Sequence, residues 1–149
     1  MNLYDARDLA VRLMKEFQLF GWRFRFDSAR RRFGQCSYRD RVISLSKYLV
    51  AINGRSQVED TIRHEIAHAV IGPGHGHGYK WKQSAVACGA SPVRCYDSET
   101  VSAPQKPFVG KCPSCGVETK AFRRTRIACK RCCGGKFDPQ FLFQWRRVV

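Results

Sequence analysis

The sequence lacks any run of eighteen apolar residues, so no segment is expected to cross a membrane as a helix. Its first stretch, "MNLYDARDLAVRLMKEF", mixes acids and bases throughout, which excludes the apolar centre of a signal peptide. The protein is therefore expected in the cytoplasm, with no membrane partner. A reducing compartment removes disulfides as the use of its eight cysteines and leaves metal binding as the expected one. Acids are scarce, twelve against twenty-seven lysines and arginines, for a net charge of +15. That excess attracts polyanions, which makes nucleic acid the expected partner and a nucleoid-associated location the expected one. Histidine is scarce as well: the chain has four, all between positions 64 and 77.

What is present divides the chain in two. A chain of 149 residues buries one modest core with room for a small appendage. Residues 105–149 hold eleven bases against Glu118 and Asp138, so nine of the fifteen net charges lie in the last third. Between the parts, "DSETVSAPQKP" (97–107) breaks any periodic pattern with Ser, Thr, Pro104 and Pro107. The expected organisation is a main domain over 1–100, a linker over 101–107 and a small domain over 108–149.

Apolar residues at Leu3, Ala6, Leu9, Leu13, Phe17 and Phe20 recur at helical spacing, and Gly21 can end that helix. "WRFRFD" sets Trp22, Phe24 and Phe26 against Arg23 and Arg25, the alternation of a half-buried strand. "SARRR" is the predicted turn after it, and "FGQCSY" and "VISLS" are further strands. A second long helix is predicted from Ser56, with Ser56 and Glu59 spaced to cap it reciprocally and Val58, Ile62, Ile66 and Ala69 on its apolar face. Gly72 and Pro73 stop it. Helix, strands, helix makes an α+β domain.

The predicted second helix carries the chemistry. His64 and His68 stand four residues apart, so both imidazoles leave one face and can share an ion, which the spacing His-Glu-x-x-His assigns to zinc. A third protein ligand leaves one corner for water, and Glu65 is placed to take a proton from it and pass it to a leaving amine. The spacing alone leaves the third ligand open. His75 and His77 follow on a glycine-rich loop, with Ile71 where a metzincin has glycine and His75 one residue late for that pattern. Asp97 and Glu99 are the downstream carboxylates that a gluzincin arrangement would use.

"FGQCSY", "ISLS", "RHEIAHAV", "GHGYKWK" and "ACGASPVRCYD" together resemble the SprT-like family over most of the chain. The resemblance implies a zincin-like metalloprotease fold followed by a small zinc-binding piece. It implies His77 as third ligand, because His77-Gly78-Tyr79-Lys80-Trp81 matches the family's His-Gly-x-x-aromatic motif at the opening of the next helix. His75 is then left as an exposed loop residue. The activity implied is a DNA-associated zinc endopeptidase that cleaves proteins bound or crosslinked to DNA. The loop between His68 and His77 is shorter than in the eukaryotic members, so their groove details do not transfer. A peptide-deformylase arrangement would need Cys36 as ligand, and the residues around Cys36 lack that pattern.

The tail supplies a second centre on its own spacing. Cys112 and Cys115, then Cys129 and Cys132 after a thirteen-residue spacer, form the double pair of a closed four-cysteine zinc ribbon, with a hairpin expected between the pairs. Cys133 competes with Cys132; otherwise it joins Cys36, Cys88 and Cys95 as packing or free thiols. Arg123, Arg124, Arg126, Lys130 and Arg131 are the expected phosphate contacts, extended by Arg30, Arg31 and Arg32. Phe141, Phe143 and Trp145 alternate and are expected to pack rather than stack bases. The expectation is a monomer with one catalytic and one structural zinc, bound to single-stranded or structured DNA and acting on proteins there. Tyr79 and Arg94 are the candidates for oxyanion stabilisation. The competing expectation is a non-catalytic nucleic-acid-binding zinc protein with a vestigial or structural histidine site.

Overall fold

A computed structural model describes residues 1–94 and 101–148. The chain separates into two compact units, Met1–Pro104 and Gln105–Val149. Cys95, Asp97 and Glu99 fall outside the described residues.

The first unit opens with α1 (Leu3–Glu16), where the Asn2 side chain accepts the Asp5 N–H and Ala6, Leu9, Ala10, Leu13 and Met14 face inward. The helix stops five residues before Gly21. Gln18 takes a left-handed φ of 55°, and Phe20, expected on the apolar face, is 73% exposed. Three strands follow: β1 (Arg23–Asp27), β2 (Gly34–Ser37) and β3 (Val42–Ser46). All five residues of β3 are buried, which is what a central strand requires. β1 pairs with β3 in parallel, with Phe24 opposite Ile43, and β2 pairs with its other side antiparallel, with Cys36 opposite Ile43. "SARRR" is therefore not a hairpin tip, since β1 and β2 lie on opposite sides of β3. Asp27 ties that connection down instead: its carboxylate accepts from the Ala29 N–H at 2.9 Å, the Arg32 guanidinium at 2.7 Å and the Ser44 hydroxyl at 2.9 Å.

A short helix absent from the sequence reading, α2 (Lys47–Ile52), follows directly, capped by the Ser46 hydroxyl on the Leu49 N–H. Next comes α3 (Arg55–Ile71), which starts after Gly54 with no side-chain cap. The Ser56–Glu59 box does not form, because Glu59 is engaged by the Arg63 guanidinium at 2.9 Å. Val58, Ile62 and Ile66 are fully buried along its inner face, each such side chain stabilising the fold by roughly 1.5–3 kcal/mol. Gly72, at φ 80°, ends the helix with its N–H on the His68 carbonyl at 3.1 Å. After the glycine loop, α4 (Tyr79–Ala87) completes the unit. Val101 joins the same core, and Ser102 exchanges two hydrogen bonds with the Asn53 side chain at 2.8 and 3.0 Å. The stretch expected as a linker thus begins attached to the first unit. No helix among the described residues is long and apolar enough to cross a membrane.

The second unit is a three-stranded antiparallel sheet, β4 (Phe108–Lys111), β5 (Glu118–Ala121) and β6 (Gln144–Arg147), in the order β5-β4-β6. Its hairpin is β4–β5, which encloses the first cysteine pair, and not the segment between the pairs. The turn holding the second pair is closed by an Ala128–Leu142 bridge. Of the three alternating aromatics only Trp145 lies in a strand. It packs over Gly110, where an added Cβ would sit 2.9 Å from the indole, and its N–H donates to the Thr125 carbonyl at 2.8 Å. Phe143 lies against it, ring centroids 6.1 Å apart.

Candidate metal centres and the groove beside them

The helical spacing of α3 brings His64 and His68 out on one face, and the loop into α4 returns His77 to meet them. The Nε2 atoms of His64 and His68 each lie 3.1 Å from Nε2 of His77. Three ligands at tetrahedral zinc bond lengths would sit about 3.3–3.4 Å apart; these two distances are near that, and all three rings bring a nitrogen within 4.8 Å of the others, so they can share one ion. Trp81, one helical turn after His77 and fully buried, forms the floor: its ring centroid is 4.6, 5.2 and 4.5 Å from those of His64, His68 and His77. The Tyr38 hydroxyl donates to the His68 carbonyl at 3.2 Å. His75 stands outside the cluster, and it is half-buried rather than exposed.

Burial, with the neighbouring rings adding to it, holds His64 down to about 4. Burial and then His77 do the same to His68, also to about 4, and burial and then Arg94 lower His77. The rings are therefore neutral at neutral pH, the form that binds metal.

Glu65, next to His64 in the chain, is 8% exposed. Burial raises its carboxyl to about 7, opposed by the Arg32 charge and by a hydrogen bond from the Cys36 N–H. All four groups open onto one groove of about 1080 Å³, whose walls include Gly34, Tyr38, Thr61 and Arg94. Arg94 shares this groove with His77. Tyr79 does not line it: the ring is 76% exposed, and its hydroxyl accepts from the Gln83 amide at 2.9 Å. Sequence reasoning missed Gly34, Tyr38 and Arg32, which carry no local signal for this role. The floor role of Trp81 is legible in its placement four residues after His77.

In the second unit the Sγ atoms of Cys112 and Cys132 are 3.9 Å apart, and those of Cys115 and Cys129 are 3.7 Å apart. A tetrahedron with zinc–sulfur bonds has edges of about 3.8 Å; these two edges match it, and all four sulfurs lie within 4.8 Å of one another, so they too can share one ion. Cys133 is not part of the cluster. Cys36 is half-buried outside the histidine group, its thiol pushed up to about 12 by burial and by Glu65, and Cys88 is buried in the core. Arg123, Arg124, Arg126, Lys130 and Arg131 are all exposed. The first three follow β5 in irregular chain and not on a hairpin, Arg124 over the Phe108 ring at 5.7 Å and Arg126 over Phe137 at 6.0 Å.

Three imidazoles beside a groove and four thiols in a small sheet define an α+β protein with two groups of side chains able to hold metal. The profile of the SprT-like family matches residues 6–101. Protein SprT-like of Bacillus velezensis is 29% identical over 94 residues, covering 59% of this chain and 62% of that protein, so this chain spans less than two thirds of that relative. The metallopeptidase zymogen of Methanocaldococcus jannaschii, jannalysin, is similar in structure at 14% identity and a TM-score of 0.49, over 64% of this chain and 85% of that one. The chain belongs to the SprT-like family.

Proposed function

We propose that the protein is a zinc-dependent endopeptidase that cleaves proteins bound or crosslinked to DNA, with its second unit a zinc ribbon that holds the DNA. The reading rests on the convergence of three neutral imidazoles, those of His64 and His68 each 3.1 Å from that of His77, on the wall of a groove that also contains the buried carboxyl of Glu65. His64, His68 and His77 would hold the catalytic zinc, and Cys112, Cys115, Cys129 and Cys132 the structural one. Zinc in the first site supplies Lewis acidity, which makes water a better nucleophile and a peptide carbonyl a better electrophile. Glu65 is the general base: its carboxylate takes a proton from the attacking water and returns it to the leaving amine. A carboxyl raised to about 7 is suited to both transfers near neutral pH. Arg94, the guanidinium in the groove beside His77, is the candidate to meet the charge developing on the carbonyl oxygen. Tyr79, turned out of the groove, is not. The net charge of +15 and the five exposed bases Arg123, Arg124, Arg126, Lys130 and Arg131 support DNA as the polyanion.

Replacing Glu65 by Gln separates this reading from a non-catalytic DNA-binding protein. The variant is expected to lose cleavage of a DNA-bound protein, self-cleavage included, while binding DNA as the wild type does. Unchanged proteolysis in the variant refutes Glu65 as the base, and no proteolysis in the wild type favours the non-catalytic alternative.

A further inference from the structure

Glu65 lies against one strand, and that strand is shaped to receive it. Among the described residues β2 pairs only with β3, which leaves its other edge facing α3 and the groove. Backbone groups along a strand alternate in direction. Phe33 turns its carbonyl toward the β3 side, where it accepts the Ser46 N–H at 2.7 Å, so Gly34 and Cys36 turn theirs to the open edge. There the Cys36 N–H faces the Glu65 carboxylate and favours its charged form. At Gly34 an added Cβ would stand 2.7 Å from both Cγ and Oε1 of Glu65 and 2.9 Å from Cγ2 of Thr61.

Gly34 sits in a regular strand, so space explains this glycine where backbone conformation does not. Nor can the contact be relieved by swinging a free tip aside. Cγ is the middle of the Glu65 side chain on a buried helix face, and the Thr61 hydroxyl is tied to the Gln57 carbonyl at 2.8 Å.

We infer that the open edge of β2 is the seat of the general base: Gly34 supplies the room in which the Glu65 side chain lies, and the Cys36 N–H fixes its carboxylate toward the groove. Both are positioning residues, and the inference rests on the peptidase reading for its kinetic consequence. A methyl at position 34 moves the carboxylate without touching any metal ligand. A shift of about 1 Å in a reacting group costs up to roughly a hundredfold in rate.

The test is Gly34→Ala in the zinc-loaded full chain, with kcat and KM on a protein substrate, metal content by native mass spectrometry, and the Cys36 amide proton by NMR. The expected result is kcat lowered by about 10- to 100-fold, KM and metal content unchanged, and the Cys36 amide moved in the same direction as in Glu65→Ala. Full kcat with an unmoved Cys36 amide overturns the inference. Should Gly34→Ala fail to fold, Glu65→Ala alone decides it, because a Cys36 amide indifferent to the loss of that carboxylate is not what holds it. A wild type that cleaves nothing removes the peptidase reading and leaves the amide comparison standing, so the two failures are told apart.

Discussion

The three imidazoles of the first unit and the four thiols of the second are both spaced for one ion, yet their surroundings differ. His64 and His68 ride on a helix whose inner face, Val58, Ile62 and Ile66, is buried among α1, β3 and α4, in a core of apolar side chains. The buried apolar side chains of the second unit, among the described residues, are Val109, Cys112 and Cys129, two of which belong to the thiol cluster itself. A folded scaffold can leave one corner of a metal site open for chemistry. A unit with almost no core depends on its metal to fold at all.

The largest expected effect breaks the comparison directly. Chelating both metals from the full chain should unfold the second unit, which loses stabilisation on the order of 10 kcal/mol, and leave the first unit folded. Amide exchange followed by mass spectrometry separates the two: rapid exchange over β4, β5 and β6, and retained protection over α1, β3 and α3. Protection lost equally in both units shows that the first core also needs its ion. The next effect belongs to the open site alone. Removing a general base costs about 10²- to 10⁴-fold in kcat, so Glu65→Gln should fall by that much on a DNA-bound protein substrate while mass spectrometry still finds two metals per chain.

The same contrast explains what could be read in the sequence. The four thiols and two of the three imidazoles were legible, because a four-residue step on a helix and a three-residue step in a turn place ligands locally, before any tertiary structure is known. His77 needed the family resemblance, since nothing in the spacing distinguishes it from His75 on a loop of glycines. The strand order was not legible. "WRFRFD" and "FGQCSY" are neighbours in sequence and read as a hairpin, but the all-buried "VISLS" takes the central place and separates them. The six-residue α2 is too short to show a period. The hairpin of the second unit was placed one segment late, because β4 and β5 close around the first cysteine pair. Gly34 was invisible for another reason: its role is the absence of a side chain beside a residue thirty-one positions on, which no local pattern encodes.

A smaller effect sharpens the choice within the open site. His77→Ala should lower the count from two metals to one, and His75→Ala should leave two, because only His77 brings its Nε2 to within 3.1 Å of the other rings. One metal in His75→Ala and two in His77→Ala would reverse the assignment.

The smallest expected effect tests the proposed contact of the second unit with DNA. Arg123, Arg124 and Arg126 share one exposed stretch, and two of them rest over aromatic rings. Such exposed cation–π contacts contribute about 0.5–1 kcal/mol, little enough for a phosphate to displace them. Arg32 in the first unit is differently placed, its guanidinium held by Asp27 at 2.7 Å. Each phosphate neutralised contributes about 0.7 to the slope of log affinity against log salt on single strands and about 0.9 on duplex. Replacing the three arginines by alanine should therefore weaken DNA binding and flatten that slope by about 2 to 3, with the exchange protection of β4, β5 and β6 unchanged. A variant that keeps the wild-type slope places the phosphate contacts elsewhere on the chain and takes the DNA-holding role away from this stretch.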